Sequence, residues 1–97
     1  MLVFCADPTR SEPRYGQRGV RLYAIQDATI ACTFAMLAAT ALGLATVWVG
    51  SFDEDSVRRV IRAPAEAVPV ALLPVGYGAE KPQATPRRKL TDLVHDV

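Results

Sequence analysis

From Ala28 to Phe52 the chain carries no charged residue, a stretch of 25 positions. That is long enough to cross a bilayer as a helix, so it admits few fates: a membrane span, or elements buried in a globular protein. Its content favours the second. The first part is rich in alanine and holds Thr29, Thr33 and Thr40. After Leu42-Gly43-Leu44 the character changes to Thr46-Val47-Trp48-Val49, residues that prefer strand. The pattern predicts a buried helix followed by a buried strand, with no membrane span.

The helix is predicted over Tyr23–Ala45. Ala, Leu, Met and Gln are good helix formers, and Asp27 suits the positive end of a helix dipole. Ile30, Phe34, Leu37, Ala41 and Leu44 recur at three- and four-residue spacing and mark one face. The opposite face is not polar, because Ala28, Ala31, Ala35, Ala38 and Ala39 cover it. A helix that is apolar or small nearly all round is buried on most sides. A chain of 97 residues has little material to surround it. A homodimer through helix 23–45 is therefore expected. Gly43 is the expected terminator, since glycine tolerates the left-handed conformation after a helix.

The remaining segments read in order. Leu2–Ala6 is an apolar run ended by Asp7-Pro8 and is predicted as a strand. Residues 7–22 hold two prolines, two glycines and four arginines, and are predicted as a solvated loop; the arginines could also attract a phosphate or a nucleotide. Thr46–Gly50 is the next strand. Ser51-Phe52-Asp53-Glu54 has the form of a capping box, opening a helix to about Arg62. Val57, Val60 and Ile61 give that helix an apolar face, with Arg58, Arg59 and Arg62 toward water. Val68–Val75 is a third strand, and Pro69 and Pro74 mark positions that face away from a hydrogen-bonding ladder. Residues 78–97 read as an extended tail with a short docking segment at Leu90–Val94. The whole is one domain over 1–97 with an α+β, layered fold: a small sheet and a long buried central helix, in the order strand, helix, strand, helix, strand, tail.

Composition excludes several functions. A formal net charge of +1 is no basis for holding nucleic acid. Cys5 and Cys32 form no CxxC pair, and His95 is the single histidine, so no metal site is expected. Two unpaired thiols and no leader-like start suggest a reduced, cytoplasmic setting. There is no G-x-S-x-G, no P-loop and no G-x-G-x-x-G, and one histidine gives little basis for a triad. The residues alone reach a dimeric domain of helices on a small sheet.

Three blocks extend this. They are Tyr23-Ala24-Ile25-Gln26-Asp27-Ala28 continuing through Leu37–Leu44 to Trp48-Val49-Gly50-Ser51-Phe52-Asp53; Val68-Pro69-Val70-Ala71-Leu72-Leu73-Pro74-Val75-Gly76-Tyr77; and Pro86-Arg87-Arg88-Lys89-Leu90. Together, in this order, they resemble the C-terminal half of the nitroreductase family. The resemblance implies a homodimeric FMN-dependent oxidoreductase. Such an enzyme takes hydride from NAD(P)H and reduces nitro groups, quinones or similar small aromatic acceptors. It implies that the flavins sit at the dimer interface, against the long helix. It places the backbone of Val49, Gly50 and Ser51 beside the isoalloxazine ring, and assigns the FMN phosphate to Arg88, with Arg87 as the fallback. Gly50 and Ser51 could equally make the turn and cap the helix, Asp27 could be a helix-end charge, and Trp48 could be core. Family members are about twice as long. Their N-terminal half supplies an Arg-Arg-Ser-type element that grips the phosphate and an Asn-containing segment near the ring, and neither has a counterpart here. The flavin site expected of this chain is thus partial, and its own activity uncertain. The alternative is a non-catalytic dimeric domain that keeps the fold and binds another ligand or partner.

Overall fold

The computed structural model describes residues 1–97. Strand β1 (Leu2–Ala6) leads into α1 (Pro8–Arg18), a π-helical turn (Gly19–Tyr23) and α2 (Ala24–Ala41). After β2 (Ala45–Thr46) come α3 (Glu54–Ile61), β3 (Val68–Leu73) and β4 (Val75–Gly76), then an exposed tail with one 3₁₀ turn at Leu90–Asp92. β1 pairs antiparallel with β3, and β2 with β4. A bridge between Val49 and Leu72 ties the chain after β2 to β3. The layered α+β arrangement expected from the sequence is present.

The segment 7–22 is helical, not a loop. Asp7 caps α1 by accepting from the Thr9 N–H at 3.1 Å, and Pro8 occupies the first turn, where its missing N–H costs nothing. Cap and proline outweigh the helix-breaking composition that suggested a loop. Asp27 is consequently not at a helix start, since helical turns precede it without interruption from Gln17 onward.

Small residues seat α2 on the sheet. Ala24, Ala28, Cys32 and Ala39 are its buried positions, spaced to form one stripe. Cys32 meets the buried face of β3, where Pro69, Ala71 and Leu73 alternate with half-buried neighbours, and Ala24 and Ala28 meet Ala6 of β1. Ala6, Ala24 and Ala28 form one cluster with Val70 against it. Cys32, Ala71 and Leu73 form the other, flanked by Phe4, Ala35, Met36 and Val75. A bulge between Phe4 and Cys5 sets Cys5 opposite Pro69, which has no N–H to offer the ladder. The hydroxyls of Thr29, Thr33 and Thr40 bond back to the carbonyls of Ile25, Thr29 and Met36, which satisfies them on an apolar helix.

The large residues predicted as the packing face point away from this core. Ile30, Phe34 and Leu37 are 53%, 68% and 61% exposed. The regular helix ends at Ala41, four residues short of the predicted end. Gly43, at φ 75°, closes it as foreseen. The Leu44 N–H reaches the Ala39 carbonyl at 2.9 Å and the Gly43 N–H the Thr40 carbonyl at 3.0 Å, the paired bonds of a Schellman motif.

α3 also differs in detail. Its cap is Asp53, whose carboxylate accepts from the Ser56 N–H at 2.7 Å, so the predicted Ser51 box is displaced by two residues. Val60 lies in water, 82% exposed. Arg58 does not face water; it donates to the carbonyls of Ala65 and Ala67 and lies 3.8 Å from Glu54.

The chain is open in shape. Its radius of gyration is 16.4 Å, where a compact domain of this length has about 13 Å. It exposes 7904 Å², against about 5,400 Å² for a compact monomer of its mass, an excess of about 2,500 Å². The 34-residue helical stretch Pro8–Ala41 is long and apolar enough by composition to cross a membrane, but its small-residue face is committed to the β1–β3 sheet.

Candidate functional site

The Val49–Ser51 turn is held from one side only. Val49 donates to the Leu72 carbonyl at 2.9 Å and accepts from the Leu72 N–H at 3.0 Å, so the turn hangs from the outer side of β3. Beyond that pair, the N–H groups of Gly50 and Ser51 donate to no acceptor of this chain, and both residues are exposed. Ser51 is free of the capping duty that would have consumed it, because Asp53 performs it. A Cβ on Gly50 would stand 3.3 Å from Nε1 of Trp48, so a larger residue would push on the indole. Trp48 is 38% exposed and is therefore not a core residue.

Arg87 and Arg88 lie in the tail. Arg87 donates to Thr85 and Pro86, and Arg88 donates to the Asp92 carbonyl at 3.1 Å. Every hydrogen bond of residues 78–97 stays inside the tail, and none joins the two arginines to the Val49–Ser51 turn. The predicted docking segment docks on nothing within this chain, with Leu90, Leu93 and Val94 all exposed. A cleft of about 630 Å³ between β2, β4 and the start of the tail is walled by Thr46, Pro74, Tyr77 and Glu80 among others, and it includes none of the five predicted residues.

These residues fit one part of the flavin that the resemblance implies. A flavin ring offers carbonyl and imine acceptors at its edge, and two free, adjacent backbone N–H groups suit such an edge. The phosphate end is different. It carries nearly two negative charges and calls for several converging donors, whereas Arg87 and Arg88 are turned into their own segment. The free N–H groups of Gly50 and Ser51 and the two tail arginines are not joined by any hydrogen bond.

Burial pushes Cys32 up, and burial pushes Cys5 up against the pull of the Arg58 guanidinium; a raised thiol is less often a thiolate. No group of three His, Cys, Asp or Glu residues could hold a metal.

One cluster was missed by reading 7–22 as a loop. Tyr15 and Tyr23 meet edge to face with ring centroids 5.2 Å apart, and Arg14 and Arg18 lie over them. The signal available was Asp7-Pro8-Thr9, a helix cap followed by proline at the first position.

Residues 1–77 match the nitroreductase family. A Methanothermobacter thermautotrophicus protein named as an NADH dehydrogenase/NAD(P)H nitroreductase is 42% identical over 62 residues, covering 60% of this chain and 32% of that protein. A Methanocaldococcus jannaschii protein named as a nitroreductase is 34% identical over 80 residues, covering 82% of this chain and 39% of its own length. The matched part of the chain thus spans 32% and 39% of the length of these curated relatives. Among solved structures, a nitroreductase family protein from Clostridium difficile 630 superposes with a TM-score of 0.76 at 30% identity, covering 94% of this chain and 55% of that one. One from Streptococcus pneumoniae TIGR4, at 24% identity, shares the fold with a TM-score of 0.80 over 90% of this chain and 44% of its own. The fold and the matched span agree, and the chain belongs to the nitroreductase family.

Proposed function

We propose that this chain works as part of an FMN-dependent oxidoreductase that reduces nitro or quinone-type acceptors with NAD(P)H, in the cytoplasm. The observation that carries the reading is the Val49–Ser51 turn, fixed by two hydrogen bonds to Leu72 while Gly50 and Ser51 keep their N–H groups free. Bound FMN supplies the two-electron chemistry, accepting hydride and passing it on. The protein's share is position and electrostatics. Gly50 and Ser51 would hold the ring edge, and Gly50 keeps the backbone accessible. Arg87 and Arg88 would meet the phosphate once the tail is engaged.

A homodimer through α2 belongs to the same proposal. The exposed face of Ile30, Phe34 and Leu37 is apolar and contiguous along the helix. The excess surface of about 2,500 Å² per chain, about 5,000 Å² over two copies, falls within the range of total area buried by obligate dimers.

A second reading has an observation of its own. Arg87 and Arg88 bond only within the tail, which suits a non-catalytic dimeric domain that keeps the fold and leaves FMN unbound. An absorbance spectrum of the purified chain with added FMN, followed by gel filtration, separates the two. Co-eluting flavin with a shifted visible band supports the oxidoreductase reading. A colourless dimer at saturating FMN removes it and leaves the second.

A further inference from the structure

The elbow between α1 and α2 is built with more care than a connection requires. Gly16 breaks α1 at φ 58°, ψ −146°, a backbone region open essentially to glycine. Gly19 is buried, and a Cβ there would stand 2.8 Å from the Ser11 carbonyl oxygen and 2.9 Å from Cβ of Tyr15. Only glycine lets α1 fold this closely onto the next turn. That turn is π-helical, a form that recurs at functional sites.

The consequence is a pair of arginines set on a pair of tyrosines. The Arg14 guanidinium carbon is 5.3 Å from the centre of the Tyr15 ring, and that of Arg18 is 5.6 Å from the centre of Tyr23. Nε of Arg18 donates to the Tyr23 hydroxyl at 3.1 Å, which fixes its plane. The rings in turn brace each other at 5.2 Å. Neither guanidinium has a carboxylate within ion-pair distance; the chain's one ion pair is Arg58–Glu54. Arg10 and Arg21 add positive charge along the same segment. Its two acids are engaged elsewhere: Asp7 accepts from Thr9 at the cap, and Glu12 accepts from Gln17. The result is an excess of positive charge with no ion-pair partner, its Arg18 fork held by Tyr23, beside a tyrosine that is 48% exposed.

We propose that Arg14, Arg18, Tyr15 and Tyr23 form a phosphomonoester site that takes the 2′-phosphate of NADPH, so that this protein prefers NADPH to NADH. The inference rests on the oxidoreductase reading for the identity of the ligand and on the elbow for the site. A guanidinium fork matches two phosphate oxygens. A monoester carries nearly two charges, whereas the diphosphate bridge shared by both dinucleotides carries one on each phosphorus. The 2′-phosphate is the group that differs between them, and the open side of Tyr15 offers a stacking surface to the adjoining adenine.

The test needs no flavin and no turnover. NADP⁺ and NAD⁺ are titrated separately into the purified chain by calorimetry or by NMR, with inorganic phosphate as competitor. The expected result is NADP⁺ binding at least about tenfold tighter than NAD⁺, as the loss of a charged hydrogen bond implies. Added salt should weaken the preference. Arg14→Gln with Arg18→Gln should bring NADP⁺ to the level of NAD⁺ with the helical circular dichroism unchanged. Arg14→Lys with Arg18→Lys should recover part of the preference. Equal affinity for the two dinucleotides, binding of neither, or a folded double glutamine variant that keeps the preference overturns the proposal. If the glutamine variant fails to fold, the NADP⁺ to NAD⁺ ratio of the unaltered chain decides. A parallel FMN titration keeps the two ideas apart. A chain that ignores FMN yet selects NADP⁺ loses the oxidoreductase reading and keeps the site; a chain that binds FMN without that selection does the reverse.

Discussion

Helices α2 and α3 are held in opposite ways. α2 has 18 residues, a stripe of small buried side chains and a Schellman closure. α3 has eight residues and none that is buried. Its security lies at its ends: Asp53 caps the first turn, and Arg58 reaches back to the carbonyls of Ala65 and Ala67. Burial supports the helix that carries the proposed dimer face, and hydrogen bonds support the helix that follows the candidate flavin turn. A short helix cannot persist on propensity alone, so α3 should respond to polar changes that α2 would ignore. The reverse should hold for changes of volume.

The largest effect should come from the floor under α2. Leu73 is fully buried against Cys32 and Ala71. Leu73→Ala removes its packing and leaves a cavity, and should cost about 2–5 kcal/mol. Thermal melting followed at 222 nm reads this directly. A cost well under the lower bound would show that the α2–sheet contact is loose and would break the contrast with α3.

The outer face of α2 separates folding from assembly. Phe34→Glu puts a charge where the proposed partner helix would pack, on a side chain 68% exposed within its own chain. The isolated chain should therefore lose little stability, while self-association falls by about a hundredfold, equivalent to about 2.7 kcal/mol. Analytical ultracentrifugation across a concentration series measures it. Unchanged association would move the dimer contact elsewhere.

How much of this could be read from the sequence divides along the same line. The strands, the α2 core and the Gly43 stop follow from hydrophobic runs and glycine chemistry, which act locally. The direction of α2 did not follow. Ile30, Phe34 and Leu37 have the stronger hydrophobic signal, yet Ala24, Ala28 and Cys32 face the sheet, because close helix–sheet packing favours small side chains and periodicity cannot say which partner each face meets. α1 was hidden because proline and glycine read as loop signals, and only the order Asp7-Pro8 reveals a capped start. The cap of α3 slipped from Ser51 to Asp53 because two acceptors compete within three residues. For the candidate site, the Val49–Ser51 turn was legible as a strand–helix junction. That Arg87 and Arg88 bond only within their own tail was not, since no local pattern states where an extended tail lies.

Arg58 tests the end-held helix. Arg58→Met keeps much of the side-chain volume and removes both bonds to the loop carbonyls, and should cost about 1–2 kcal/mol. The variant has a second readout. The Arg58 guanidinium opposes the upward push of burial on Cys5. Without it the Cys5 thiol should rise further, and its alkylation by iodoacetamide near pH 9 should slow. A loss of stability with no change in Cys5 reactivity would place the guanidinium's influence in the loop alone.

The smallest expected effect is the pH dependence of α3. The side chain and backbone of Ser56 hold the Asp53 carboxyl below its ordinary range. A carboxylate depressed in the folded state binds its proton more tightly when unfolded, so its contribution is complete above the unfolded value. It fades as pH falls through the lowered folded one. Stability attributable to the cap should thus be flat near neutrality and decline only in the acid range. Asp53→Asn keeps an acceptor for the Ser56 N–H but cannot titrate. Chemical denaturation of both proteins from pH 7 to pH 3 should give curves that run parallel at the upper end and converge toward the acid. Curves that stay parallel throughout would mean that neither cap charge nor helix dipole supports α3, leaving Arg58 as its main restraint.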